Sequence, residues 1–405
     1  MYDVIIIGAG ASGLVSAIIA GRRGKKVLLL EKNSKVGKKL LATGNGRCNI
    51  TNQRPTLEHF YSHNPKFIAQ VLSGYNYQSI KQFFKSIGLE LIEAKEGKVF
   101  PMSLQASSVV DMLLYECEQL GVEIKLEREV LDVNKLKHGY EVKYNRGCEK
   151  ASAIIFAMGH CSAPQLGGVE TGITLSKRLG HRIIKSYPTL VQLTSDVNNL
   201  KAMAGVKVES RVRFTSQQGK IIQKQGDVLF TSYGISGLAI LDISRSVMQE
   251  LIYIPTVTLE IDLMPKQSSE QLLALMRKSL VKKSKKPLSL WMQGFINKKL
   301  ILPILEPLKL QHENVGSIMS NKLALDDIVK QIKYFKFKVN GSRGYKGAEV
   351  ATGGVDTLDV NPLTMESKKH KGLYFTGELL DVDGDRGGFN LYFAWVSGLR
   401  AGELL

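Results

Sequence analysis

The chain of 405 residues contains no apolar run that approaches the length of about 20 residues needed to cross a bilayer. Only Met1, Tyr2 and Asp3 precede the first predicted strand, which leaves no room for a signal peptide. These two absences predict a cytoplasmic protein without a membrane-spanning segment.

Cysteine is also scarce. The four cysteines show neither the paired spacing of a zinc site nor a C-x-x-C redox motif. This usage is typical of a reducing compartment, and it predicts no disulfide and no metal site. The cysteines are Cys48, Cys117, Cys148 and Cys161.

Acidic residues are few compared with basic ones. There are 37 Asp and Glu against 55 Lys and Arg, so the net charge is +18. A field of this sign attracts polyanions such as nucleic acids. The alternative is that lysine side chains simply solvate the surface, because composition alone does not say where the charge lies.

The beginning of the chain reads as a strand, a glycine turn, a helix, a second strand and an acidic residue. The apolar run Val4–Ile7 is short, as expected for a buried parallel strand. The turn 8–13 has the spacing G-x-G-x-x-G, and the second strand at 26–30 ends at Glu31. This context, rather than the glycines alone, predicts a dinucleotide site.

Each residue of this fingerprint has a physical task. Gly8 permits the tight turn, Gly10 lets the backbone approach a pyrophosphate, and Gly13 lets the helix pack close to the strand. The pyrophosphate would accept hydrogen bonds from the N–H groups of the helix N-terminus. Glu31 is spaced to bind ribose hydroxyls and disfavours a 2′-phosphate, which leaves NAD or FAD.

The pattern of predicted secondary structure changes twice along the rest of the chain. Residues 1 to about 185 alternate between strand and helix patterns, which predict a doubly wound sheet. One of these helices is predicted to begin at a capping box, with Ser108 three residues before Asp111. Alternating segments on both sides of the Gly219 turn predict an antiparallel hairpin, and a capping box at Ser268 begins a run of helices. The predicted domains are 1–186 with 344–405 for the dinucleotide, 187–265 with 334–343 rich in β-strands, and 266–333 helical.

Two further blocks carry unusual chemistry. Residues 37–52 hold three glycines, two asparagines, Arg47 and Cys48, which suits backbone N–H groups and polar side chains lining a cofactor rather than a core. Near the C-terminus a strand ends at Gly377 and Glu378, and Gly387–Asn390 precedes the last helix. In flavoproteins the positive end of such a helix faces the flavin and stabilises negative charge on the reduced ring.

Together with Val99–Pro101, 227–237 and 377–391, these blocks resemble a family of bacterial FAD-dependent oxidoreductases described as aminoacetone-oxidase-like, bile-acid-reductase-like and ribosomal RNA dihydrouridine synthase-like. The resemblance spans nearly the whole chain in order. It implies an α/β fold in which a discontinuous Rossmann-type FAD domain is interrupted by a β-barrel-like domain and a small helical domain. It also implies tightly bound FAD.

The fingerprint and the resemblance together predict the FAD contacts. They lie at the ends of the first strands, in the block after Glu31, after the strand that ends at Ala157, and at the C-terminal double glycine. The predicted contacts are Gly8, Ala9, Gly10, Ala11, Ser12, Gly13, Glu31, Lys32, Lys38, Lys39, Thr43, Gly44, Asn45, Gly46, Arg47, Cys48, Asn49, Val130, Ala157, Met158, Gly159, Gly377, Glu378, Gly387, Gly388, Phe389, Asn390 and Leu391.

The chain departs from the family pattern in two places. His160 and Cys161 follow Gly159 where a paired glycine and a tyrosine are usual, and Tyr392 stands where glutamine is common. Both places are where a substrate would meet the flavin. Cys48 and Cys161 are candidate proton donors, and His160 or Tyr392 could orient a substrate; the alternative for each is a structural role.

The resemblance implies more than one substrate, and among these the basic charge favours ribosomal RNA. Reduced FAD would deliver a hydride to C6 of a uracil ring in 23S ribosomal RNA, and a protein acid would protonate C5. Alternatives are a small-molecule oxidase or reductase and a flavin-containing RNA-binding factor without turnover. NADH or NADPH is a possible transient reductant, although no second G-x-G-x-x-G occurs between residues 150 and 345. The predicted RNA-facing lysines are Lys282, Lys283, Lys285, Lys286, Lys298 and Lys299.

Lysines also alternate with aromatic residues at 333–338. They could form a second RNA-binding cluster. The period of two favours the alternative, a strand with Phe335 and Phe337 on its buried face and the lysines on its solvent-exposed face.

Overall fold

A computed structural model describes residues 1–280 and 284–403. They divide into two compact units: the first comprises residues 1–187 and the segment from residue 349 onward, and the second comprises residues 188–348. Lys282 and Lys283 lie outside the described residues. Within the described residues no helix is both long and apolar enough to cross a membrane.

The helices and strands follow the chain in three stretches. Residues 1–187 form β1 Tyr2–Ile7, α1 Ala11–Arg22, β2 Val27–Leu30, α2 Lys38–Ala42, β3 Thr51–Asn52, β4 Phe60–Tyr61, α3 Pro65–Leu72, α4 Tyr77–Ser86, β5 Leu91–Glu93, β6 Lys98–Pro101, α5 Ala106–Gln119, β7 Glu123–Lys125, β8 Val130–Lys135, β9 Tyr140–Tyr144, β10 Gly147–Phe156, α6 Thr171–Arg178 and β11 Ile183–Ile184. The second unit forms β12 Pro188–Thr189, β13 Leu193–Thr194, α7 Leu200–Met203, β14 Lys207–Thr215, β15 Ile221–Thr231, β16 Gly234–Ser236, α8 Leu238–Glu250, β17 Val257–Asp262, α9 Ser269–Lys278, α10 Leu288–Met292, α11 Lys298–Leu305, α12 Val315–Ser320, α13 Lys322–Lys333, β18 Phe335–Val339, β19 Gly341–Ser342 and α14 Gly344–Gly347. The returning segment forms β20 Val350–Ala351, β21 Gly354–Val355, β22 Leu373–Phe375, β23 Asp383–Gly384 and α15 Phe389–Glu403.

The main sheet of the first unit has the order β7-β2-β1-β10-β9-β8, and β22 also pairs with β10. The strands β7, β2, β1, β10 and β22 pair in parallel, and β8 and β9 form an antiparallel extension. The runs 4–7 and 27–30 are buried on both faces, as parallel strands covered by helices must be. The predicted Rossmann-type α/β fold is therefore confirmed.

Helix α15 returns from the C-terminus to pack on α1. A Cβ on Gly398 would lie 2.6 Å from the Ser12 carbonyl oxygen, so only glycine allows the two helices to come this close. The Ser16 hydroxyl donates to the carbonyl oxygens of Ser12 and Gly398 at 2.8 and 3.1 Å. The segment after residue 349 thus completes the core that the first residues begin.

In the second unit a sheet runs in the order β18-β17-β14-β15-β16-β13-β19. The hairpin β14–β15 has the predicted turn, with Thr215 opposite Ile221 and Gly219 at φ +77°. Among the described residues β18 and β19 do not pair with each other, so the sheet is not closed into a barrel. The helices α9, α11 and α13 share one hydrophobic core with this sheet, and the finer division at residues 266 and 333 stays a prediction.

Two predicted helix starts had different outcomes. Ser268 accepts from the Gln271 amide at 3.2 Å and begins α9, which confirms the capping box. The box predicted at Ser108 is wrong, because α5 begins at Ala106 and the Ser108 hydroxyl pairs with Ser103 instead. In β18 the side chains of Phe335 and Phe337 are buried and those of Lys336 and Lys338 are exposed, which confirms the strand interpretation for these residues. Lys333, predicted on the exposed face, instead ends α13 and is buried.

Candidate functional site

The parallel register brings four strand ends to one edge of the sheet. Ile7 is aligned with Leu30 and Phe156, and Phe156 is aligned with Phe375. The residues that follow these strands therefore meet at this edge, where open α/β sheets bind their ligands. They are Gly8, Glu31, Ala157 and Thr376.

The fingerprint glycines are not equivalent in space. A Cβ on Gly8 would lie 2.4 Å from the Ala157 oxygen, and a Cβ on Gly13 would lie 1.9 Å from the Gly8 oxygen. A Cβ on Gly10 would meet nothing within 4 Å. Gly8 and Gly13 are thus required by packing, whereas Gly10 borders open space at the start of α1. Within the described residues no side chain caps that helix, so its first N–H groups have no side-chain partner.

Glu31 ends β2 with only 7% of its surface exposed. Its Oε2 accepts from the Ala9 amide at 2.9 Å, and its Oε1 accepts from the Asn33 amide at 2.9 Å and from the Asn33 side chain. A carboxylate can accept about four hydrogen bonds and Glu31 accepts three here, so capacity for one ribose hydroxyl remains. Lys32 follows directly, and burial lowers its pKa. Val130 begins β8 and is buried, two residues after the Arg128 amide that donates to the Glu31 carbonyl.

Lys39, Ser162 and Glu378 form a closed ring of hydrogen bonds. The Lys39 ammonium donates to the Ser162 hydroxyl and to Glu378 Oε2, and the Ser162 hydroxyl donates to Glu378 Oε1, each at 2.6 Å. Burial raises the pKa of Glu378, but the Lys39 charge and the hydrogen bonds from Lys39 and Ser162 outweigh it, and the net pKa is lowered. Glu378 is therefore held ionised at the edge of the sheet, and the Ala351 amide also donates to it.

His160 and Cys161 lie next to this ring. The His160 Nδ1 accepts from the Cys161 amide at 2.8 Å and lies 3.0 Å from the Cys161 sulfur. The His160 Nε2 is buried and has no partner among the described protein atoms. Burial lowers the pKa of His160, which favours the neutral ring. An unpartnered buried nitrogen of this kind indicates that a ligand or water completes the site.

The block after Glu31 is a loop with unusual backbone. Gly44, Asn45, Gly46 and Cys48 all have positive φ, and the residues 44–47 are exposed. Cys48 is fully buried, and burial raises its pKa to about 11 despite a hydrogen bond with Thr43. Non-glycine residues in this region of φ carry strain, which concentrates at functional sites.

The other predicted contacts of this block lie beside it. Arg47 lies over the Phe100 ring at 5.2 Å, and Asn49 Oδ1 accepts from the Val99 amide. Lys38 is exposed at the start of α2.

The double glycine before α15 is tightly fixed. A Cβ on Gly388 would lie 2.5 Å from the Thr51 carbonyl, and Asn52 Nδ2 donates to the Gly387 oxygen at 3.2 Å. Asn390 receives a hydrogen bond from the Gly384 amide and donates to the Gly384 and Asp385 oxygens. Asn390 thus holds this loop in place, and its predicted contact with the cofactor stays a prediction.

Tyr392 has a structural environment. Its hydroxyl donates to the Tyr75 carbonyl at 3.0 Å, and its side chain is almost fully buried. Burial raises the pKa of Tyr392. This hydroxyl is committed to the backbone.

Sequence reasoning missed a histidine at the same loop. His59 Nδ1 lies 3.1 Å from Asp385 Oδ2, and the Tyr61 hydroxyl donates to Asp385 Oδ1 at 2.9 Å. The partners are 326 residues apart in sequence, and no local spacing joins them. Only the position of Asp385 inside the C-terminal glycine motif could have drawn attention to it.

Comparison with known proteins now gives the family. The family described as "HI0933-like protein Rossmann domain" matches residues 2–404. The chain belongs to this family. The predicted resemblance is thereby confirmed, and family membership makes the chain an FAD-dependent oxidoreductase. Gly10 beside the uncapped end of α1, the partly satisfied Glu31 and the orphaned His160 Nε2 fit a bound dinucleotide.

Two relatives in the family match over nearly their full lengths. The chain is 33% identical over 407 residues to a 3-dehydro-bile acid delta(4,6)-reductase of Clostridium scindens, with 100% of this chain and 98% of the relative covered. It is 34% identical over 399 residues to a ribosomal RNA dihydrouridine synthase of Haemophilus influenzae, with 97% and 96% covered.

A solved structure agrees in fold. The structure of 3-ketosteroid delta1-dehydrogenase from Sterolibacterium denitrificans has a TM-score of 0.53 at 11% identity and covers 99% of this chain and 98% of that one. At this identity the likeness shows the fold alone.

Proposed function

We propose that the protein is a reductase of a carbon–carbon double bond conjugated to a carbonyl group, and that its substrate is a uridine of 23S ribosomal RNA. The observation that carries the first part is that both full-length relatives are named for such a reduction. The C5=C6 bond of uracil is conjugated to its C4 carbonyl, and a 3-dehydro steroid with double bonds at carbons 4 and 6 is conjugated to its C3 carbonyl. One site chemistry therefore serves both substrates.

FAD would be held by residues at the carboxyl edge of the main sheet. Gly10 and the N-terminus of α1 would hold the pyrophosphate, and Glu31 would hold the adenosine ribose. The N-terminus of α15, fixed by Gly388 against Thr51, would face the flavin. When bound in its reduced form, FAD would supply the hydride that adds to the far carbon of the conjugated bond.

The protein must then manage the negative charge on the substrate carbonyl and supply a proton to the near carbon. Donors near an enolate oxygen lower its energy most when they are fixed in advance, as the clamped loop before α15 allows. Glu378, held ionised by Lys39, would carry a fixed negative charge that keeps Lys39 in place rather than donating a proton.

The choice of RNA rests on charge and on one relative. The net charge of +18 provides a positive field for phosphates, and the dihydrouridine synthase relative is matched over almost its whole length. Exposed lysines of the second unit would contact the phosphate backbone, and the uridine would leave its stack to reach the flavin. These lysines are Lys285, Lys286, Lys298 and Lys299, with Lys282 and Lys283 outside the described residues. NADH or NADPH would reload the flavin from solution.

A dihydrouridine map of 23S ribosomal RNA tests the substrate directly. RNA from cells with the gene, without it, and with the gene restored would be read by mass spectrometry. We expect one position to lose dihydrouridine in the deletion strain and to regain it on restoration. A map that does not change would contradict the RNA substrate.

A second candidate substrate is a small conjugated ketone, which the bile acid reductase relative favours. Incubation of the reduced holoenzyme with a 3-oxo-4,6-diene steroid under nitrogen, followed by mass spectrometry of the product, separates this candidate from the RNA. A gain of two mass units with an unchanged ribosomal map would favour the small molecule.

A further inference from the structure

We propose that His59, held by Asp385, donates the proton to the substrate carbon in this reduction. The inference rests on the proposed function, because it assumes that a conjugated double bond is reduced. It does not depend on whether the substrate is RNA or a small ketone, since both leave an enolate that must be protonated.

The pair is built into a short sheet. Strands β4 and β23 pair antiparallel with Phe60 opposite Gly384, and the Asp385 amide donates to the His59 carbonyl at 2.8 Å. The side chains then meet at 3.1 Å between His59 Nδ1 and Asp385 Oδ2. Tyr61 donates to the other carboxylate oxygen at 2.9 Å, so Asp385 is oriented from two sides.

This arrangement selects the reactive nitrogen. Because a carboxylate only accepts, Nδ1 of His59 carries the hydrogen that it donates to Asp385, and Nε2 is the atom that can gain or give a proton. The His59 side chain is 31% exposed, and its Nε2 lies 3.8 Å from Glu58, which is exposed.

The pair also lies beside the loop assigned to the cofactor. The His59 ring stacks on Phe389 with centroids 4.1 Å apart and an angle of 16°. Phe389 is the first residue of α15 and directly follows Gly387 and Gly388. Asn390 clamps the Asp385 carbonyl to the same helix start.

The two predicted proton donors, Cys48 and Cys161, are both buried, and the predicted orienting residues His160 and Tyr392 are also less suited to give a proton. The Cys48 thiol is buried and its pKa is raised to about 11, and burial lowers the pKa of His160. The Tyr392 hydroxyl is bound to the Tyr75 carbonyl. Of these side chains and His59, only His59 combines an oriented carboxylate partner with a partly exposed nitrogen.

The step balances without another reactant in the site. FAD, when bound in its reduced form, would supply the two electrons and one hydrogen as a hydride, and a nicotinamide would serve as its reductant. The enolate electron pair forms the new C–H bond at the near carbon, and the N–H bond of the His59 imidazolium breaks to leave a neutral ring. Solvent then returns a proton to Nε2, and Asp385 stabilises the cation that forms.

The test compares two neighbouring histidines in the holoenzyme. His63 makes a similar pair, with Nδ1 3.0 Å from Asp381, but its side chain is 66% exposed, and in the described part of the chain it makes no stacking contact with α15. His59→Ala, His59→Gln and the control His63→Ala would be purified with FAD and their flavin content checked. Single-turnover oxidation of the reduced proteins would be measured with a 23S ribosomal RNA transcript and with 2-cyclohexenone.

We expect both His59 variants to be slower by about 100-fold on every probe that the wild type reduces, with partial rescue of His59→Ala by imidazole. His63→Ala should keep the wild-type rate. A His59 variant that turns over at the wild-type rate overturns the proposal. If the wild type reduces cyclohexenone but not the RNA, the proposed RNA substrate is contradicted. The role of His59 as proton donor is then still tested by the rates with cyclohexenone.

A second readout needs no substrate. In protein labelled with ¹⁵N-histidine, the His59 signals are assigned through their loss in His59→Gln. We expect the His59 Nε2 resonance to shift between the FAD-free and FAD-bound protein while that of His63 does not. An Nε2 resonance unchanged by FAD overturns the proposal, even if no tested substrate is reduced and the proposed function fails.

Discussion

The Lys39 ammonium lies 2.6 Å from Oε2 of Glu378, a residue 339 positions away in the sequence. Ser162 closes the ring between them, and the Glu378 side chain is only 19% exposed. Removing the cation would leave a mostly buried carboxylate without its charge partner, which is costly.

Lys39→Met should therefore lower the free energy of unfolding by about 2 kcal/mol at pH 7. In the wild type the folded pKa of Glu378 lies below its ordinary value of 4.5, so its stabilisation is present above that pH and is lost as the pH falls through the folded pKa. The difference between variant and wild type should shrink as the pH falls below 4.5 and through the folded pKa. Urea unfolding at pH 7 and at a series of pH values below 4.5 measures this.

The exposed neighbour provides the control for that measurement. Lys38→Met removes the same charge from the same helix but from an exposed side chain, and should change the free energy of unfolding by less than about 0.5 kcal/mol. Equal effects of the two substitutions would show that the ring does not stabilise the fold.

Gly10 and Gly13 should respond differently to the same substitution. Gly13→Ala places a Cβ 1.9 Å from the Gly8 oxygen and should destabilise the apoprotein by about 3 kcal/mol or prevent folding. Gly10→Ala meets open space and has ordinary φ, so the apoprotein should keep its melting temperature but lose FAD affinity. Thermal unfolding without FAD and flavin fluorescence titration separate the two effects. A Gly10→Ala protein with wild-type FAD affinity would contradict the placement of the pyrophosphate.

The cysteines should show one reactive thiol in the folded protein. Cys148 is exposed, whereas Cys48, Cys117 and Cys161 are buried. Burial raises the pKa of Cys48 to about 11 and that of Cys117 to about 12, so neither forms much thiolate at pH 8. An Ellman titration should give one fast thiol per native chain and four in urea, and Cys148→Ser should remove the fast one. A fast second thiol would show that a buried cysteine opens to solvent.

The exposed lysines of the second unit should determine the salt dependence of RNA binding. Replacing Lys285, Lys286 and Lys298 by Ala should reduce the slope of log K against log salt by about 2, since each phosphate contact to a single strand contributes about 0.7. FAD content should not change. Filter binding at several salt concentrations gives the slope. The control variant replaces three exposed lysines of the first unit, Lys137, Lys143 and Lys150, by Ala and so loses the same charge. An equal change of slope in this variant would favour non-specific binding.

Local sequence features predicted several of the elements correctly. The glycine fingerprint, the hairpin around Gly219 and the cap at Ser268 depend on neighbouring residues, whose steric and hydrogen-bonding needs can be read along the chain. The predicted cap at Ser108 failed because its hydroxyl had a competing partner in Ser103 and the helix began two residues earlier. A local pattern is thus reliable only where no other nearby group offers the same hydrogen bond.

By itself the sequence determined the first strand, glycine turn, helix and second strand, the need for glycine at Gly8 and Gly13, and the class of cofactor, since these follow from chain geometry over a few residues. Only the tertiary structure decided which polar side chains meet. The contacts of Glu378 with Lys39 and of His59 with Asp385 each join residues more than 300 positions apart, through the return of the last segment to the first sheet. It also placed the Tyr392 hydroxyl in the core, because burial and partners depend on packing that no local spacing encodes.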